Sequence, residues 1–240
     1  MNDREIDDII ERAAGAAREV DPALLGRVSA AMTASLRPVR PVAAAPLVAF
    51  QVLSIAVVLA VAAAWMLGFY GIQEMDVAEI GSIFPALLIV SWLAALLSVA
   101  ETRPGGLRWM NPPIMDPVMR NRGMLLLVVM VIWIALAAMF FRNYELGDFV
   151  PQGVVCLRAG LLIAMPTGAG SWLVLRRGFA VSPGGAGLAA GTLAGLAGLL
   201  MLEMHCPIFR APHIMVWHTA VVPVSAVTGG LLAKIAARRN

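Results

Sequence analysis

Charge is scarce in this chain. Only 14% of its 240 residues are Asp, Glu, Lys or Arg, against 60% hydrophobic. A water-soluble domain of this length needs far more polar surface to cover itself. Towards the middle of the long apolar runs polar side chains are nearly missing: apart from Gln51 and a few Ser and Thr there are almost none. A transporter or metal-handling permease needs polar groups at mid-membrane, so this scarcity weighs against that class. There is no CxxC-like pair or set of haem ligands for a quinone-coupled oxidoreductase. Nor is there a nucleophile–base arrangement, a phosphate loop or an intramembrane carboxylate pair, and the chain reads as no enzyme. No repeat of 20–50 residues stands out, which leaves out solenoids and propellers.

What is present is a series of apolar runs of membrane-spanning length, with a mean hydropathy of +0.82. They fall near 47–70, 83–100, 124–141, 159–175, 188–204 and 215–235. Each is long enough for a hydrocarbon core of about 30 Å. The fold class expected is all-α: a polytopic membrane protein of six transmembrane helices behind a short amphipathic N-terminal segment. A segment of some forty residues, rich in charge, precedes the first run, so no cleavable signal peptide is expected.

The net charge of +3 does not point to nucleic acid, because the basic residues lie between the apolar runs. Every Lys and Arg except Arg142, Arg158 and Arg210 falls in the N-terminal segment, the loops after spans two and four, or the tail. The loop "GIQEMDVAEIG" has none. The positive-inside rule then predicts both termini in the cytoplasm, with 71–82, 142–158 and 205–214 outside.

Residues 1–41 read as two short amphipathic helices. Ile6, Ile9 and Ile10 begin one apolar stripe; Leu24, Leu25, Val28 and Met32 form the next, after Asp21 as N-cap and Pro22 in the first turn. Forty residues cannot build a core of their own. The stripes must cover something: a lipid surface, the bundle's own loops, or a docked cytoplasmic protein.

The other informative stretch is "LEMHCPIFRAPHIMVWH", residues 202–218, with all three histidines and one of the two cysteines. Spans four and five are joined by a short inner loop and should pack as an antiparallel hairpin. That puts Cys156 and Cys206 together at the outer rim, and Arg158 and Glu203 at nearly one depth, where an ion pair is expected. Gly187, Gly191 and Gly195, at intervals of four, would help the hairpin close. Both cysteines then lie on the oxidising side, which favours a disulfide or a redox-active dithiol. The rival is an outer-face metal site drawn from His205, Cys206, His213 and His218 with Cys156, suited to zinc, copper or cadmium. Inert apolar packing is the third reading.

"CLRAG" opening a span, "GLAAGTLAGLAGLLMLEMHCP" ending another in His-Cys-Pro, and Trp217 soon after resemble the NrsF-type anti-sigma factors. The likeness covers the six-span architecture; its specific motifs lie within 154–218. It implies a bacterial inner-membrane protein that sequesters an extracytoplasmic-function sigma factor and touches no nucleic acid directly. Cys156 and Cys206 would be the cysteines that sense oxidants or heavy metals. On that reading 1–41 is the sigma-binding segment, through Ile6, Ile9, Ile10, Leu24, Leu25, Val28 and Met32, and 42–240 is the sensor domain.

Overall fold

The computed structural model describes residues 5, 11, 22–35, 43–103, 122–141, 143–176, 178 and 182–238, and of 35 and 122–129 the backbone only. By compactness the chain falls into two units, Met1–Val42 and Ala43–Asn240. In the first, helix α1 (Pro22–Ser35) begins on a proline, whose missing N–H costs nothing in a first turn. Leu24, Leu25, Val28 and Met32 are all exposed on it. The stripe expected through Ile6, Ile9 and Ile10 lies outside the described residues.

The second unit is a helical bundle, with no strand among the described residues. Helix α2 (Ala45–Leu67) starts on Ala45-Pro46 and stops at Gly68, whose φ of 100° only glycine adopts freely. A short helix α3 (Tyr70–Glu74) follows. Helix α4 (Val77–Ala100) begins six residues ahead of the apolar run at 83. Asp76 accepts from the Glu79 N–H at 2.7 Å and Glu79 accepts from the Asp76 N–H at 2.9 Å, a reciprocal cap that winds the polar lead-in into the helix. Helix α5 (Arg122–Phe140) follows, then α6 (Phe149–Leu175) and α7 (Pro183–His205). The last helix, α8, runs over Ala211–Arg238. Helix α6 starts ten residues before the run at 159. Hydropathy breaks at Arg158, but the backbone, capped by Asp148 at φ 50°, does not. Five of these helices (α2, α4, α6, α7 and α8) are long and apolar enough to cross a membrane, and α5 carries a shorter apolar stretch, Met130–Phe140.

Helix α7 is the axis. Of its apolar window 83% is buried, against 22–44% for the other four. The sequence assigns the stripe Gly187, Gly191 and Gly195 to closing α6 on α7, but the structure turns it onto α8. A Cβ on Gly195 would lie 2.6 Å from the Val222 Cα, and one on Gly191 would meet the Ser225 carbonyl. It is Gly198, further along, that touches α6, at the Gly160 carbonyl. In lipid no hydrophobic drive joins helices, so this backbone-to-backbone approach supplies the dispersion energy that does.

Alternating helices bring the connections to two ends. At one end Gly71 of α3 packs on the carbonyls of Glu203 and Cys206, and the Ala211 N–H donates to the Asn143 carbonyl at 2.7 Å. At the other, Gly178 lies against Thr102, Gly184 against Lys234, and Arg103 donates to the Ala43 carbonyl.

Candidate functional site

The first of these ends holds the chemistry. Helix α7 stops because of Pro207: a residue before proline is pushed out of the helical region. Cys206 accordingly takes φ −77°, ψ 120°. Its Sγ meets that of Cys156, two turns into α6, at 3.5 Å, and both are free thiols. The disulfide expected as one outcome is therefore not formed here, since a bonded pair would stand at about 2.05 Å.

Helix α8 supplies two more donors by a local departure from α geometry. Residues Ile214–His218 form a π turn, and Thr219 Oγ1 donates to the Ile214 carbonyl five residues back at 3.0 Å. On an α-helix His213 and His218 would stand about 140° apart; the widened turn, of a kind that recurs at functional sites, sets them over one another. Their rings meet edge to face at 5.1 Å. His213 Nε2 lies 3.8 Å from Cys206 Sγ. One donor atom from each of Cys156, Cys206, His213 and His218 falls within 4.8 Å of all the others, and all four residues are buried. This cluster could hold a metal ion: tetrahedral bonds of about 2.0–2.3 Å put donors roughly 3.3–3.8 Å apart, and two of the separations already fall there.

Behind the cluster, His218 Nδ1 hydrogen-bonds Glu203 Oε1 at 2.8 Å, both side chains fully buried. The sequence pairs Glu203 with Arg158; the structure does not. Arg158 is exposed on α6, and no ion pair joins the two among the described residues. Equal depth did not settle it, because the two side chains leave their helices in different directions. His218 Nε2 and Glu203 Oε2 are both buried without a hydrogen-bond partner. This acid–imidazole pair escaped the sequence reading. Fifteen residues separate its members, and the π turn that aims His218 has no hydrophobic period to betray it.

His205 stands apart from the four. Its Nδ1 contacts the Gly68 carbonyl at 2.9 Å and its ring lies 5.9 Å from that of Tyr70. Trp217 packs on Gly153 and on Phe149, at 5.6 Å. Arg210 donates to the Gly147 carbonyl, and Phe209 stacks on Phe141 at 5.4 Å, which ties the 206–210 connection to its neighbour. A cleft of about 380 Å³, bordered by Gln152, His205 and Pro207, opens onto both cysteines. Cys206, beyond the end of α7, is held above the ordinary thiol range. Its hydrogen bond with Cys156 retains the proton, burial adds to this, and His213 and His218 oppose it.

No curated protein and no solved structure matches this chain. A family model does, over residues 32–238, most of the chain and the whole of the cluster. By that match, and with the helical membrane architecture described above, the chain belongs to the NrsF family, negative regulators of sigma F.

Proposed function

We propose that this anti-sigma factor sits in the bacterial inner membrane with both termini in the cytoplasm. Residues 1–41 hold an extracytoplasmic-function sigma factor inactive. Release follows when the cysteine pair, on the outer side, meets an oxidant or a soft metal ion. The observation that carries this reading is the pair itself: two free, buried thiols 3.5 Å apart on neighbouring elements, beside a cleft. Charge supports the orientation. Arg103, Arg122, Arg176, Lys234 and Arg238 gather at the opposite end, while of the described Lys and Arg of the bundle only Arg158 and Arg210 lie toward the cysteine end.

A hydroperoxide would act as follows. The two thiols give up two protons and two electrons, an S–S bond forms, the O–O bond breaks, and water and an alcohol leave. Sulfur centres then move from 3.5 Å to about 2.05 Å, drawing the end of α7 onto α6. Both helices run the length of the bundle to the end where α2 begins. A bundle with two packings, biased by the state of its thiols, would pass that change on.

The N-terminal half of the reading is tested by capture. Full-length tagged protein, extracted with its partner from membranes, should retain a sigma factor. Ile10→Asp with Leu25→Asp, which puts charge into a desolvated helix-in-groove contact, should lose it. Undiminished capture by the double variant would refute the assignment of residues 1–41. Absence of any sigma factor from the wild-type extract would favour a lipid-surface role for the stripes.

A further inference from the structure

We infer that His213 and His218 complete the cysteine pair into a single four-donor site for a soft divalent cation such as zinc or cadmium, with Glu203 as the positioning residue that decides which nitrogen His218 offers. The inference deepens the sensing role given above to Cys156 and Cys206 and rests on it for biological meaning, but not for its test.

Four observations converge. Two sulfurs and two imidazole nitrogens are the donor set that tetrahedral zinc and cadmium favour, and here they come from three separate elements, α6, the α7 end and α8, yet lie within 4.8 Å of one another. The π turn at Ile214–His218 is what places both imidazoles on one side. His218 Nδ1 is taken by Glu203 at 2.8 Å, leaving a fully buried Nε2 with no hydrogen-bond partner. A carboxylate on the far nitrogen of a ligating histidine fixes its tautomer and ring orientation and raises its basicity. Finally, the cleft at Cys156 and Cys206 gives an ion a way in. Binding would displace the two thiol protons, so that both sulfurs coordinate as thiolates. His205, turned to Gly68, is outside the set.

The probe is Co²⁺, then Cd²⁺, titrated into the purified full-length protein under reducing conditions with no sigma factor present. One equivalent of Co²⁺ should give the intense visible bands of a four-coordinate ion, displaced by Cd²⁺ with a thiolate charge-transfer band. His213→Ala and His218→Ala should each lose the four-coordinate spectrum, while His205→Ala should keep it. Glu203→Gln keeps shape and hydrogen bond but not charge. It should bind about 10–100-fold more weakly with the four-coordinate bands retained, an effect that a purely structural glutamate would not produce.

Faint six-coordinate bands in the wild type, or full-strength binding by both His→Ala variants, would overturn the site. Unchanged affinity in Glu203→Gln would overturn the positioning role. If peroxide still releases a sigma factor from a protein that binds no cobalt, this inference falls and the sensing role stands. Tight tetrahedral binding without any release has the reverse meaning.

Discussion

Gly198→Ala should uncouple the two cysteines without touching either. Gly198 lies where α7 meets α6, and a Cβ there would collide with the Gly160 carbonyl oxygen and come within 3.0 Å of its carbon. Backbone cannot swing aside as a side-chain tip does, so the helices must part by several tenths of an ångström. Overpacking of this kind costs about 1–3 kcal/mol. At 1.4 kcal/mol per factor of ten, disulfide formation should slow by roughly 5–150-fold. Gly168→Ala is the matched control on the same interface, since its Cβ would meet only the Ala194 methyl at an ordinary 3.7 Å. The helix-propensity gain of about 1 kcal/mol is common to both substitutions and to both states of the thiols, so this control should oxidise at the wild-type rate. The assay is diamide oxidation of detergent-purified protein, quenched in acid and read by mass after alkylation. Wild-type oxidation in Gly198→Ala, or equal slowing in both variants, would refute the argument that this contact sets the thiol spacing.

Two further predictions concern orientation and protonation. Reporter fusions at Asp76, Pro112 and Asn240 should read outside, inside and inside; an outside signal at Asn240 would break the six-span arrangement. Alkylation of Cys206 should reach half its maximal rate above the ordinary thiol range, because its folded-state proton is retained mainly by Cys156. The thiol is thus protonated at neutral pH, and its reactivity rises only as pH climbs through the raised value. Cys156→Ala removes the largest cause and should shift the profile to lower pH; an unmoved profile would contradict that cause.

Much of this molecule was legible in the residues, and what was not has identifiable reasons. The apolar runs located every long helix of the described bundle, since a lone segment can satisfy its own backbone across a lipid core only as a helix. Their starts were misjudged where a polar lead-in is helical: the Asp76–Glu79 cap extends α4 and Asp148 opens α6 ahead of Arg158. Hairpin logic brought Cys156 and Cys206 together correctly, because short connections make neighbours of consecutive helices. It gave the wrong partner to Glu203 and the wrong neighbour to the Gly187–Gly195 stripe. Depth along a helix is written in spacing, but direction around it depends on which helix occupies the axis. The alignment of His213 with His218 needs a π turn, and five-residue spacing in "HIMVWH" reads as two opposed faces under any α period.

The central claim is that the state of the Cys156–Cys206 pair governs release of a sigma factor bound through the N-terminal segment. Its most direct measurement uses the purified complex in lipid vesicles, with the fraction of sigma factor still bound followed before and after hydroperoxide or cadmium. Wild-type complex should release its partner in step with loss of free thiols, and reductant or chelator should restore binding. Cys156→Ser and Cys206→Ser should hold the partner throughout. Release from either serine variant at the wild-type dose would contradict the account and return the cysteines to a packing role.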